Sequence, residues 1–234
     1  MNSWSRRVLA RGGRLAERLR RVWSGGPEQS FGLDGLDLKV AAYLDVLGGF
    51  FVEAGANDGV SQSNTFYLER YRGWRGLLVE PIPELAARCR VNRPDCLVEE
   101  CALVPFEYLR TRVRMRFCGL MSVVHGGMKT VEEELEHVRA GARIQELEPY
   151  EVEVPARTLT DVLAAYRVGK IDFLSLDVEG YELSALQGLD FDRYRPTFML
   201  IEARYREEID GYLSALYEPV AQLSHHDVLY RASR

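Results

Sequence analysis

The chain has 234 residues, of which 47% are hydrophobic and 28% charged, at a net charge of −5. That length suits one large domain or two small ones, and that balance excludes a wholly disordered chain. No apolar run reaches the roughly 18 residues of a spanning helix, and the N-terminus is too charged for a secretory signal, so a cytoplasmic location is expected. Cys89, Cys96, Cys101 and Cys118 form no CxxC pair. A zinc knuckle is therefore not expected, and reduced thiols are the default in a chain able to bury a full core.

Charge is unevenly spread. Residues 1–26 carry seven arginines against Glu17, a local charge of +6, which leaves −11 on the remainder. An acidic body opposes nucleic-acid binding. The arm places Trp4, Val8, Leu15, Leu19 and Val22 near one helical face, interrupted by Gly12 and Gly13. Such a segment has the ingredients of a peripheral membrane contact; packing on the acidic body or on a second subunit, giving a homo-oligomer, is the competing reading. Ser24-Gly25-Gly26-Pro27 reads as a linker, so the expected division is an arm over 1–26 and one domain over 27–234.

Residues 36–47 read as an amphipathic helix with Leu36, Val40, Leu44 and Leu47 on one side. From there short apolar runs alternate with helical stretches. The runs are Gly49–Glu53, Gly76–Glu80, Cys96–Glu100, Ile171–Asp177 and Thr197–Glu202; Pro83–Val91, Leu159–Tyr166 and Tyr181–Leu189 are helical. This order predicts an α/β fold with a doubly wound, mainly parallel sheet. Residues 105–157 break the rhythm, with strands expected at Arg112–Phe117 and Tyr150–Pro155 around a helix at Val131–Arg143, and read as an insertion over the ligand edge. Glu218–Leu223 and Asp227–Arg231 read as a terminal hairpin.

Ligands of parallel α/β sheets bind outside the carboxyl ends of the strands. Four runs end in a carboxylate: Glu53, Glu80, Asp177 and Glu202. A row of acids favours cations and sugar hydroxyls over phosphates. After the first run comes Glu53-Ala54-Gly55-Ala56-Asn57-Asp58-Gly59, whose glycines permit a tight turn close to a ligand. A pyrophosphate site would want G-x-G-x-x-G, but Asn57 replaces its second glycine and Asp58 lies in the first helical turn. S-adenosylmethionine, with an ammonium, a sulfonium and a ribose diol but no phosphate, suits these residues, and Glu80 at the second strand's end is placed for the diol.

These residues, with Ser63-Asn64-Thr65, Gly73-Trp74-Arg75-Gly76 and Val79-Glu80-Pro81, resemble the FkbM family of S-adenosylmethionine-dependent methyltransferases. Val154-Pro155, Thr158-Leu159, Lys170 to Gly180 and Arg193-Tyr194-Arg195-Pro196 extend the resemblance over most of 50–202. The resemblance implies a class I methyltransferase (Rossmann-like) fold, a seven-stranded sheet with an antiparallel last strand. It implies that Glu53, Gly55, Ala56, Asn57 and Gly59 hold the methionine part, that Glu80 and Pro81 hold the ribose, and that Cys101-Ala102 form the adenine turn. Asp177 and Glu179 match the family's acid pair as catalytic candidates, with Glu179 as a helix cap the alternative. Gly119-Leu120-Met121-Ser122 resembles a family loop near the cofactor. Trp74 reads as packing beneath the second strand.

The expected reaction is O-methylation of a small-molecule or glycan hydroxyl. No metal ligand is assigned; Glu202, His225 and His226 leave a magnesium or base site open. A nicotinamide-dependent oxidoreductase and a non-catalytic adaptor on a methyltransferase-like fold are the alternatives.

Overall fold

The computed structural model describes residues 29–233. The basic arm, and with it the membrane or subunit contact expected of it, lies outside the described residues. Among those described, no helix is long and apolar enough to cross a membrane.

The five apolar runs form strands β1 (Phe50–Ala54), β2 (Arg75–Val79), β3 (Leu97–Glu99), β8 (Phe173–Leu176) and β9 (Phe198–Glu202), all parallel in one sheet. The C-terminal hairpin supplies β10 (Tyr217–Gln222) and β11 (Asp227–Ala232). β11 runs antiparallel to β9, and the spatial order is β10-β11-β9-β8-β1-β2-β3. The seven-stranded α/β sheet with an antiparallel last strand is thus present.

The near-continuous apolar character of the central strands follows from burial on both faces. Alternation sends Val52, Leu174, Leu176, Met199 and Ile201 to one face, against α5 (Leu159–Ala165), α6 (Glu182–Leu186) and α7 (Arg206–Leu213). Phe51, Leu78, Phe173 and Leu200 face the other way, against α1 (Leu36–Ala41), α2 (Phe66–Arg72) and α3 (Pro83–Asn92). Trp74 is buried there, its indole N–H donating to Val46 O at 3.2 Å, so it packs as expected.

The helix anticipated over 36–47 stops at Ala41. Arg72 explains the stop: its guanidinium donates to the carbonyls of Ala41, Leu44 and Val46, drawing the chain into turns instead of a second helical turn. The helix expected over Tyr181–Leu189 shortens to α6, after left-handed residues Glu179 and Gly180. Helices α2 and α7 had no counterpart in the sequence pattern.

Residues 102–157 build a second sheet of order β4-β7-β5-β6 from β4 (Ala102–Leu103), β5 (Arg112–Phe117), β6 (Val123–Val124) and β7 (Tyr150–Arg157). β5 buries Val113 and Met115 and turns its arginines outward, where Arg114 and Arg116 meet Glu151 of β7. Helix α4 (Val131–Ile144) begins on Thr130, whose hydroxyl accepts from Glu133 N at 3.1 Å. A cap of this kind contributes about 1 kcal/mol, and Glu132 to Glu134 in the first turn with Arg143 in the last complement the helix dipole.

Candidate active site

The carboxyl ends of β1, β2, β8 and β9 open into a cleft of about 500 Å³. It lies where the strand order reverses between β1 and β8, the usual ligand position in an open α/β sheet. Met115, Leu120, Met121, Ser122, Ile144 and Gln145 of the inserted segment line its other side. Gln145 pins that wall: its side-chain oxygen accepts from Leu120 N at 2.7 Å and its amide donates to Cys118 O at 2.8 Å.

The turn after β1 runs against the backbone of β8. Gly55 has φ +82°, and a Cβ there would sit 1.8 Å from Asp177 O, so only glycine fits. Asn57, at φ +51°, donates its backbone N–H to Glu80 Oε2 at 2.8 Å. The other oxygen of Glu80 accepts from Ile82 N at 2.9 Å. Burial pushes the Glu80 carboxyl up to about 7, against the two N–H donors that favour its charged form. Two bonds leave lone pairs free on this carboxylate, which lines the cleft together with Gly55, Ala56, Asn57, Pro81, Cys101 and Ala102. The Cys101 thiol is buried and pushed up to about 12, chiefly by loss of solvent, so it is inert.

Glu53 and Gly59 depart from expectation. Neither is among the residues lining the cleft. Glu53 lies on the α1–α3 face of β1, where its carboxylate accepts from Ser63 Oγ (2.9 Å), Asn64 N (2.7 Å) and Thr65 Oγ1 (2.6 Å) and pairs with Arg93 at 3.2 Å. All of these groups are buried, and Gly59 packs beneath the Arg93 side chain. The Glu53 carboxylate therefore anchors the Ser63–Thr65 loop rather than facing the cleft. Asn64, held by that anchor, does line the cleft.

At the opposite end the cleft is acidic. β8 ends at Leu176, so Asp177 and Glu179 do not share a strand face, and Glu179 adopts φ +56°. The loop amides of Val178 and Gly180 bond to Glu182 Oε1 at 3.0 and 2.9 Å, so Glu182 takes the capping role considered for Glu179. Oxygens of Asp177, Glu182 and Glu202 lie within 4.8 Å of one another. Burial, then the neighbouring carboxylates Glu202, Glu179 and Glu182, hold Asp177 well above the usual carboxylate range. Burial and the same kind of repulsion push Glu202 up to about 8, and its Oε2 is buried without a hydrogen-bond partner among the described residues. Hard oxygen donors of this type suit a divalent cation; Glu182 already accepts two N–H bonds, and Arg204 brings a positive charge within 4.0 Å of Glu202. His225 and His226 sit exposed at the rim, their rings 4.4 Å apart, outside that carboxylate cluster.

Two neighbours of Glu179 were not singled out from the sequence. His137 Nε2 is 3.2 Å and Arg204 Nη2 3.4 Å from Glu179 Oε2. The spacing of Glu134, His137, Val138 and Gly141 marks the buried stripe of α4, but nothing in the sequence shows what that stripe faces.

The sequence matches the family model for the Methyltransferase FkbM domain over residues 53–229. Among solved structures, methyltransferase FkbM from Methylobacillus flagellatus KT aligns at 13% identity and TM-score 0.46, covering 98% of this chain and 61% of that one. A TehB-like SAM-dependent methyltransferase from Corynebacterium glutamicum aligns at 10% identity and TM-score 0.44, covering 96% of this chain and 99% of that one. No curated protein matches the sequence. With its family match running from the end of β1 into the last strand, the chain belongs to the FkbM methyltransferase family.

Proposed function

We propose that the chain transfers a methyl group from S-adenosylmethionine to a hydroxyl of a sugar or glycan. The observation that carries this reading is the pairing, in one cleft, of a buried Glu80 beside a glycine turn with a carboxylate-rich far wall. The residues fit the cofactor's chemistry. Gly55 lets backbone approach closely, Glu80 keeps lone pairs for a ribose diol, and the acidic side chains lining the cleft among the described residues, Asp34, Glu179 and Asp227 with the raised acids Glu80, Asp177 and Glu202, outnumber Arg204 and are drawn to ionise by a cation. Cys101 and Ala102 offer main chain to the adenine.

When bound, S-adenosylmethionine supplies a methyl carbon on a positive sulfur, which leaves as a neutral thioether as the acceptor oxygen takes the methyl. The chain's task is to align the acceptor and remove its proton. Alignment supplies roughly 7–11 kcal/mol, and a placed base about 10²–10⁴-fold. Glu179, which accepts from Arg204 and has His137 Nε2 3.2 Å away, is assigned as the group that takes the hydroxyl proton. Asp177, whose surroundings favour its protonated form, is assigned to orient the acceptor through a hydrogen bond.

Calorimetry tests the cofactor assignment: S-adenosylmethionine and its demethylated product are expected to bind, and NAD to give no heat. Absence of binding at millimolar ligand would sink the reading. Labelled S-adenosylmethionine with crude glycan and lipid-linked sugar fractions tests the acceptor, with label expected in the sugar. Label appearing only in protein or nucleic acid would contradict the acceptor class.

A further inference from the structure

The inserted segment contributes more than a wall. His137, in the middle of α4, is buried, whereas His125, His225 and His226 are exposed. Its Nε2 hydrogen-bonds to Met121 O at 3.1 Å and lies 3.2 Å from Glu179 Oε2, within ion-pair distance of that carboxylate. Its Nδ1 faces Arg204 Nη2 at 3.4 Å and so presents a lone pair to a guanidinium. Both ring nitrogens are thereby assigned, and the ring orientation is fixed from two sides.

We infer that His137 is a positioning residue: it fixes the Glu179 carboxylate toward the cleft, so that the inserted helix takes part in the reaction. The inference rests on the proposed role of Glu179 as the base for the acceptor hydroxyl. His137 is not among the residues lining the cleft, whereas Glu179, Met121 and Arg204 are, so it acts through Glu179. Glu179 needs such a hold. Its left-handed φ of +56° is unusual for a glutamate and persists only where surrounding contacts over-determine it.

Helix α4 is itself firmly seated. Glu134, one turn before His137, accepts from Arg116 Nε at 2.7 Å and from Gly126 N at 2.6 Å. The imidazole therefore rests on a helix tied to β5 and to the turn after β6. The other ionisable groups facing Glu179 are Arg204 and Glu202 from the end of β9, Asp177 and Glu182 from the end of β8 and from α6, His226 from the β10–β11 turn, and Cys118. Only His137 and Arg204 among them lie within ion-pair distance of its carboxylate.

The full chain tests this with two kinds of measurement. The first needs no acceptor: with ¹⁵N-labelled histidine, Glu179→Gln is expected to move the His137 Nε2 signal while leaving His125 in place. The second is turnover on the sugar fraction that accepts label. His137→Leu keeps the volume and removes both nitrogens; a displaced reacting group costs on the order of 10²-fold, so kcat is expected to fall by that order. Its KM for S-adenosylmethionine is expected to stay within about twofold, as for an interaction made only in the transition state. His137→Gln, which restores an N–H near the Nε2 position, is expected to recover most of the rate. Unmoved His137 nitrogens in Glu179→Gln overturn the inference. So does wild-type kcat in His137→Leu, or a His137→Gln as slow as His137→Leu. A wild-type chain that binds no S-adenosylmethionine defeats the methyltransferase reading instead, and the histidine spectrum still reports whether the contact exists.

Discussion

At the residue scale, burial and partners decide what each strand-end carboxylate does. Glu53 and Glu80 occupy equivalent-looking places after apolar runs, yet Glu53 is saturated by three donors and Arg93, while Glu80 has two N–H partners and free lone pairs. Glu80→Ala is therefore expected to weaken S-adenosylmethionine binding. Hydrogen bonds to a charged acceptor contribute about 1.5–3 kcal/mol, so the loss read by calorimetry should be about tenfold to a hundredfold. The raised acids also set a pH dependence. A carboxyl whose folded value is lifted keeps a proton that the unfolded chain has released, so stability falls as pH rises from 4.5 through about 7 for Glu80 and Glu182 and about 8 for Glu202. Thermal unfolding should show Glu202→Gln losing less stability than wild type between about pH 5.5 and pH 8.5, because one of the raised acids no longer titrates. Equal losses in the two proteins would contradict the burial of Glu202.

At the scale of elements, the site depends on how closely two loops pass. The exit of β1 crosses that of β8 with no room for a methyl group: Gly55 combines φ +82° with an Asp177 carbonyl 1.8 Å from any added Cβ. Gly55→Ala is expected to destabilise by more than the about 1–2 kcal/mol of a left-handed alanine alone, since the loops must also separate. Urea midpoints should report this. A variant with wild-type midpoint would mean that the two loops are not in contact. Pattern reading found the strands well, because those of the parallel sheet are near-continuous apolar runs and β5 and β7 alternate apolar with charged residues, but misjudged the helices where side chains from elsewhere intervene. Arg72, 31 residues beyond Ala41, is what stops α1, and no local signal at 41–47 announces it. The short α6 is likewise ended by its tertiary setting, between the Glu179–Gly180 turn and a Gly188 whose neighbour is Val104.

For the whole molecule, ligand and fold are linked. A ligand that binds only the folded chain stabilises it by about 2.7 kcal/mol at a hundred times its Kd. For a chain of this size about 2–4 °C accompanies each kcal/mol, so saturating S-adenosylmethionine should raise the unfolding temperature by roughly 5–10 °C. Glu80→Ala should lose most of that shift at equal ligand concentration. A shift of full size in the variant would place the ribose elsewhere. The cleft joins two parts of the chain, the carboxyl edge of the parallel sheet and the segment over residues 102–157, so its shape is set by both.

The sequence alone determined the parallel strands, the glycine turn after the first of them and the family resemblance, because hydrophobic period and turn chemistry are local and the motif is contiguous. Glu80, Gly55, Ala56, Asn57, Pro81, Cys101 and Ala102 all line the one cleft. Only the tertiary structure decided that Glu53 supports a loop, that Glu182 and not Glu179 caps the turn before α6, and that His137 reaches Glu179 across 42 residues of chain. Those three outcomes turn on which side chain arrives from a distant element to satisfy a buried carboxylate or a loop amide, and a residue's own neighbours in sequence carry no record of that.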